Sequence, residues 1–375
     1  MYDVMVVGLG AMGSAALYHL AARGMRVVGV DADDPPHTLG STHGRTRIIR
    51  EAYAEHPGYV PLVRQAYANW AALETASGTT LFRQTGGIML GVPGCSLVEG
   101  AAQSARDHGI DVELLTAKQV MARFPAFSID DAMVGLVERS AGILFPERCI
   151  QAHLELARAK GAEVRTRTCV IALSHEADKV RAMTTHGPIS AKRVVLTAGP
   201  WTPDILAMLD VSLALEVERQ TVHWFDASGD ASTLSADRLP ILMIEHEPER
   251  IYYAIPDVGD GLKAGIHHEG TIVSPSTVAR TVTAQDIEPV ERLTRRFLPA
   301  AAGTPRESSV CLYTNTLDED FVIDTLPECS NVVLVSACSG HGFKFASVIG
   351  EIAAQLALGE PTALDISHFA MSRFD

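Results

Sequence analysis

The sequence predicts an α/β fold interleaved with a second, antiparallel β-rich (α+β) domain, and three observations carry that prediction. An apolar run at residues 4–7 leads into Gly8, Gly10 and Gly13 and a helical pattern, and a second apolar run at 27–30 closes on Asp31. Short alternating runs replace that style between about 215 and 275. The last third then returns to a buried strand followed by a helix. At 375 residues the chain exceeds what one hydrophobic core usually holds, so two domains are expected.

Strand, tight turn, helix, strand and acid form a Rossmann-like dinucleotide fingerprint in its proper context. Gly8 permits the turn, Gly10 lets the backbone approach a pyrophosphate, and Gly13 lets the helix pack closely on the strands. The helix N-terminus offers unpaired N–H groups and a positive dipole end to the phosphates. Asp31 is placed to accept hydrogen bonds from a ribose. An ordinary βαβ unit whose glycines serve packing alone shares the pattern, and the motif does not separate FAD from NAD.

Beyond Asp31, the run Asp33, Asp34, Pro35, Pro36 and His37 breaks the regular pattern, and a polar, glycine-bearing stretch occupies 40–50. Helices are expected at about 60–75, 97–107 and 149–160, with one strand over 163–173 and another over 194–198. Segments 216–225, 251–255 and 262–266 read as antiparallel strands. Segment 331–337 reads as a buried strand, after which Ser339, Gly340, His341 and Gly342 turn into a helix. Phe345, Val348, Ile349, Ile352, Ala353 and Leu356 give that helix one apolar face. The expected division puts 1–85, 146–215 and 306–375 in the nucleotide domain and 86–145 and 216–305 in a substrate domain.

Apolar residues make up 47% and charged residues 20% of the chain, the balance of a soluble globular protein. A net charge of −14 argues against nucleic acid and anionic membrane surfaces as partners. An anionic substrate would therefore need a local cationic patch. The apolar runs are too short to span a bilayer, and the first strand consumes the apolar N-terminus, so a cytoplasmic location is expected. Cys95, Cys149, Cys169, Cys311, Cys329 and Cys338 lack CxxC spacing, which removes zinc and dithiol motifs and leaves small core residues as the plain reading. No metal site is expected.

Four further segments hold unusual residues: 40–50, with Ser41, His43, Arg45, Arg47 and Arg50; 262–267, with Lys263, Gly265 and His267; 311–314, with Cys311 and Tyr313; and 339–345, with Gly340, His341, Gly342 and Lys344. In order and spacing they resemble the monomeric sarcosine oxidase and N-methyltryptophan oxidase family, FAD-dependent amine oxidases of the D-amino-acid oxidase superfamily. The likeness runs from residue 2 to 374. It implies a Rossmann-like FAD-binding domain beside the β-rich substrate domain. The implied reaction is oxidation of an N-methyl (secondary) amino acid by O2, giving formaldehyde, the primary amino acid and hydrogen peroxide. A monomer is implied as well.

The resemblance also assigns residues. Cys311 matches the cysteine bonded to the flavin's 8α-methyl carbon, a step that needs a thiolate and is helped by nearby cations. Lys263 matches the lysine that activates oxygen, since a fixed ammonium stabilises superoxide as it forms. Without the resemblance, a lysine at a strand end is a solvated surface group. Arg50 and Lys344 match the pair that grips the substrate carboxylate, one as a fork and one as a point charge. Arg47 matches the arginine beside the flavin. On residue type alone, Arg45, Arg47 and Arg50 could form a solvated basic face, and 47 and 50 share a face only where the chain turns helical. His267, Tyr253, Tyr313 and Met243 match the walls of the amine pocket.

Besides Gly8, Gly10, Gly13 and Asp31, the implied flavin contacts are Ser41, His43, Val170, Gly199, Trp201, Gly340, His341, Gly342 and Lys344. A helix N-terminus at the Gly340 turn would stabilise negative charge on the flavin's pyrimidine edge. His268 has no family counterpart and reads as an ordinary side chain. Ile255 stands where a second pocket aromatic is expected, and one residue fewer separates Tyr253 from Lys263 than in sarcosine oxidase. Residues 318–327 are closer to N-methyltryptophan oxidase, so the two signals disagree on substrate size. Alternative readings are a related oxidase of cyclic imino acids or glycated amines, or a flavoprotein subunit that needs a partner chain.

Overall fold

In the computed structural model, which describes residues 1–176, 178–327 and 329–374, the opening apolar run becomes the strand Tyr2–Val7 within an eight-stranded sheet. It pairs in parallel with Val27–Val30 on one side and Gly187–Leu196 on the other. Glu163–Arg165 extends the first edge and Val332–Ser336 adds in parallel beyond the second. Val4, Met5, Val6, Val27, Val28, Val194 and Val195 are all buried, because both faces of a parallel sheet are covered. One face packs against the helices Ala11–Ala22, Tyr59–Ser77, Pro146–Ala159 and Ala346–Leu358. The other packs against a cluster that includes Leu173, Val180, Ile205 and Leu206.

The single strand expected over 163–173 is two strands, Glu163–Arg165 and Val170–Glu176. Between them Arg167 adopts a left-handed φ of 51°. The Arg167 and Thr168 N–H groups donate to the Asp33 and Asp31 carbonyls. The loop after the second strand therefore draws this segment across its end and breaks the run. Among the cysteines, Cys95, Cys149, Cys311 and Cys329 are buried, whereas Cys169 is exposed, which departs from a uniform core reading.

A nine-stranded sheet forms the second layer among the described residues, ordered Thr271–Ile272, Glu216–Phe225, Leu262–His267, Arg250–Ile255, Ile241–Glu247, Gly87–Gly91, Val134–Glu138 and Val112–Thr116. The ninth strand, Glu307–Asn315, pairs antiparallel along the whole of Glu216–Phe225. The chain therefore leaves this sheet after Asn315, not at 306. Period-two alternation sorts its side chains. Tyr252, Ala254, Leu262, Ala264 and Ile266 pack on the helix Ala284–Phe297 through Val290, Leu293 and Phe297. Ile251, Tyr253, Ile255, Lys263 and His267 take the opposite face, toward the first sheet, and line a cavity. Among the described residues, no helix is long and apolar enough to cross a membrane.

Candidate active site

The cavity, of about 560 Å³, is lined at its nucleotide end by Gly8, Gly10, Asp31, Val170, Gly199 and Trp201. Gly8 has φ +88°, and a Cβ there would sit 2.5 Å from the Thr197 carbonyl oxygen. A Cβ on Gly13 would sit 1.8 Å from the Gly8 oxygen, so Gly13 serves the close packing of helix on turn and does not itself line the cavity. At Gly10 the nearest atom to a Cβ would be Thr42 Oγ1 at 3.9 Å, which leaves the backbone open to approach. The helix Ala11–Ala22 has no side-chain cap and no acidic residue in its first turn, so its N–H groups stay available to an anion. Asp31 accepts from the Leu9 N–H at 2.7 Å and the Asp33 N–H at 2.9 Å, which fixes its carboxylate at the cavity. Ser41 Oγ and Ser336 Oγ, both on lining residues, are buried without a partner. Unspent donors, a glycine cradle and a fixed acid together fit a dinucleotide.

At the other end several cations are buried in one place. Arg47 lies on the extended strand Arg47–Ile49, not on a helix; because that strand ends at Ile49, Arg50 still reaches the same cavity. Arg47 donates to the Ser41 and Thr46 carbonyls at 2.9 Å, and its Nη2 lies 3.7 Å from Cys311 Sγ. Cys311 is buried, and strand register sets it opposite Gln220. Lys263 is 2% exposed, so it is no solvated surface group. Its Nζ donates to the Gly44 and Thr46 carbonyls at 2.8 Å and lies 5.8 Å from the Trp224 ring. Burial and the neighbouring Arg47 push its pKa well below the ordinary lysine value.

Arg50 is also buried, with its guanidinium 4.4 Å from the Tyr53 ring centroid. Its Nη2 donates to both Glu55 oxygens at 2.8 Å and its Nη1 to the Ala52 carbonyl, so a carboxylate already engages one arm of the fork. Burial drives the Glu55 carboxyl up, but Arg50, His341 and Lys344 outweigh it and hold the group down at about 2. Lys344 Nζ donates to Tyr53 Oη at 3.2 Å and to the His341 carbonyl. Burial and Arg50 pull Lys344 down to about 7. Tyr53 and Glu55 were not anticipated. The available signal was an acid and an aromatic within five residues of a candidate buried arginine.

The amine pocket is built by cross-strand register. Tyr253 faces Met243 on one neighbouring strand and Gly265 on the other. A Cβ at Gly265 would sit 2.7 Å from Tyr253 Oη, so the glycine admits the tyrosine ring. Burial raises the Tyr253 hydroxyl to about 12 despite Arg47. His267 Nδ1 lies 3.2 Å from Tyr313 Oη, and burial with the adjacent His268 holds the His267 ring neutral. Ile255 lines the wall together with Ile251, Gln220 and Val222. Those last three were missed, although alternation along 216–225 and 251–255 would have found them.

Two assignments need correction. His43 is buried but lies outside the cavity lining; burial, then Arg47 and Lys263, hold its ring down to about 3, and its Nε2 has no partner. His268 is not an ordinary side chain: its Nδ1 is 3.3 Å from Glu218 Oε2, and its ring centroid is 4.1 Å from that of His267 and 5.3 Å from that of Tyr313. The Gly340 turn also differs in detail. Gly340, His341, Gly342 and Lys344 line the cavity, but a single 3-10 turn, Gly342–Phe345, precedes the helix Ala346–Leu358. The regular helix thus begins a turn later than expected. Among the described residues no group of His, Cys, Asp and Glu is arranged to hold a metal ion.

A nucleotide cleft that ends in a pocket of buried cations and aromatic walls defines the class: an oxidoreductase built around a dinucleotide cofactor. The family model described as FAD dependent oxidoreductase (DAO) matches residues 3–356, and the chain belongs to that family. It is 40% identical over 377 residues to the monomeric sarcosine oxidase of Bacillus sp. (strain B-0618), covering 99% of this chain and 96% of that one. It is 36% identical to the N-methyl-L-tryptophan oxidase of Yersinia pestis (strain Pestoides F), covering 100% and 99%. Among solved structures, NikD, described as an unusual amino acid oxidase essential for nikkomycin biosynthesis, aligns with a TM-score of 0.88 at 26% identity, covering 98% of this chain and 97% of that one.

Proposed function

We propose that this FAD-dependent oxidoreductase is an oxidase of N-methyl (secondary) amino acids, acting in the cytoplasm as a monomer. The observation that carries the reading is the buried pair Arg50 and Lys344 in the same cavity as Lys263 and Cys311. Relatives named for sarcosine and N-methyl-L-tryptophan oxidation support it. Bound FAD would supply the acceptor for a hydride equivalent from the N-methyl carbon, with O2 as the final oxidant. Residues 1–85, 146–215 and 306–375 hold the cofactor, with Glu307–Asn315 lending Cys311 from the second sheet. Residues 86–145 and 216–305 shape the substrate pocket.

Within that frame, Arg50 and Lys344 bind the substrate carboxylate and fix its position. Tyr253, Tyr313, His267 and Met243 wall the amine. Burial keeps both tyrosines protonated and makes the His267 ring a weak base, so none of these three wall residues is poised as a general base. The amine must enter unprotonated, and the pH profile follows the amine together with Lys344. Lys263 keeps its place through two carbonyls that favour its ammonium against the burial lowering its pKa, and in that form it places positive charge where oxygen is reduced. Arg47 sets a cation 3.7 Å from the sulfur of Cys311, the anchor for a covalent link to the flavin.

The apolar face of Ile251, Ile255 and Met243 favours substrates bulkier than sarcosine, including cyclic imino acids. The test is a substrate panel of sarcosine, N-methyl amino acids of increasing bulk, and cyclic imino acids, read by flavin bleaching and peroxide release. Bleaching without peroxide would remove O2 as acceptor. Neither signal from any member of the panel would refute the oxidase reading.

A further inference from the structure

We propose that His268, held at Nδ1 by the Glu218 carboxylate and packed at Nε2 against Gly340, is a positioning residue that holds the Ser339–Gly340 turn against the ring end of the cavity. The inference rests on the proposed site but concerns this chain's own turn. Ser339 has φ +35° and Gly340 φ +71°, two left-handed residues in succession, one of them not glycine. Such a backbone persists only where its surroundings over-determine it. The Ser339 N–H donates to the Thr314 carbonyl at 3.0 Å, and the His341 and Gly342 N–H groups both donate to the Cys338 carbonyl at 2.8 Å. Ser339 is buried, and its hydroxyl has no partner. The backbone of this turn is thus held from one side by strand Glu307–Asn315.

His268 closes the other side. A Cβ on Gly340 would lie 2.5 Å from His267 Cε1, 2.7 Å from Tyr313 Cε2 and 3.0 Å from His268 Nε2, so three rings press on that glycine. The opposite ring nitrogen of His268, Nδ1, faces Glu218 Oε2 at 3.3 Å. Glu218 is a buried hub: it also accepts from Gln220 Nε2 at 2.7 Å, the Gly270 N–H at 2.6 Å and Asn315 Nδ2 at 3.0 Å. With Glu218 and Glu319 both on the Nδ1 side, His268 suits the imidazolium form.

The charged groups around it agree. Glu218 and Glu319, the latter 3.8 Å away, attract the proton, while His267 and Tyr313 in ring contact are neutral. Arg219, next to Glu218 in sequence, is turned away to Asp286. His341, Lys344 and Glu55 lie beyond His267. Burial opposes the charge on His268, yet the carboxylates and the Ser339 carbonyl outweigh it and raise the pKa. A raised histidine pKa means that the clamp is complete at low pH and is lost as pH rises through the folded value.

The test is amide hydrogen exchange of residues 339–342 in the holoenzyme, expressed as protection relative to unstructured peptide, between about pH 6 and 9. Wild-type protection at His341 and Gly342 should fall roughly tenfold across that window, the loss of one charge-assisted hydrogen bond. His268→Gln, which keeps a neutral donor, should show reduced protection with no pH dependence, and Glu218→Gln should move the fall to lower pH. A ring that merely fills space predicts pH-independent protection in the wild type, and that result overturns the proposal. Where a variant does not fold, a nitrogen NMR titration of wild-type His268 decides instead, and a ring neutral at pH 6 overturns it. Exchange needs no turnover, so the outcomes separate: pH-dependent protection without peroxide keeps the clamp and removes the oxidase, and peroxide with flat protection does the reverse.

Discussion

Glu55→Gln should make the protein less stable and its carboxylate site stronger at the same time. In the structure both Glu55 oxygens engage one arm of the Arg50 fork at 2.8 Å, so a substrate carboxylate must displace them to use the same donor. Arg50 is 2% exposed, but the Glu55 side chain is 34% exposed where it borders the cavity, so the pair is partly screened. Charge-assisted hydrogen bonds contribute about 1.5–3 kcal/mol when buried. Partial exposure, and the one amide oxygen that glutamine retains, reduce the competition relieved to about 1–2 kcal/mol. That corresponds to roughly 5- to 30-fold tighter binding of a small carboxylate. The same loss should lower Tm by roughly a few degrees. Because Glu55 is held down at about 2, its pairing is complete above the ordinary carboxyl range and is lost only as pH falls toward that value. The gain should therefore be full on the acid side of neutrality and shrink as pH rises through about 7, because Glu55 also supports the charge on Lys344. Flavin absorbance titrated with propionate measures it. Unchanged or weaker binding in a folded, flavin-loaded variant would refute the idea that Glu55 competes for the fork.

Cys311→Ala should let the flavin separate from denatured protein; flavin still attached to the pellet would point to another anchor, such as Cys338. Lys263→Met should slow reoxidation by O2 far more than reduction by amine in stopped-flow experiments, and equal slowing of both half-reactions would remove its oxygen role. Gly13→Ala places a Cβ about 1.6 Å inside the 3.4 Å at which ordinary contact begins, against backbone that cannot yield cheaply. It should cost about 3 kcal/mol or more and lower flavin content, and a wild-type melting curve would contradict the packing argument. Lys344, pulled down to about 7, loses its charge as pH rises through that value. Carboxylate affinity of the ligand-free enzyme should fall above about 7, and Lys344→Met should weaken binding roughly tenfold and flatten that dependence.

Features set by local geometry were legible in the order of residues alone. Glycines at 8, 10 and 13 between two apolar runs can form little else than a tight turn closing on a helix, and Thr197 and the Gly8 carbonyl leave no room for a side chain at 8 or 13. Alternation along 251–255 and 262–266 likewise encodes which residues face the cavity, since strand period is a property of the backbone. The broken strand near 167 was not legible, because the Asp31 and Asp33 carbonyls that turn it lie more than a hundred residues earlier in the chain. Which charges meet depends instead on contacts between distant segments. Lys263 looks solvent-bound in sequence and is buried because strand pairing sets it beside Trp224 under the Gly44–Thr46 carbonyls. His268 acquires a partner only when Glu218, fifty residues away, is brought opposite Tyr313. Electrostatics depends on distance through space, and that distance exists only after two sheets have closed on one another.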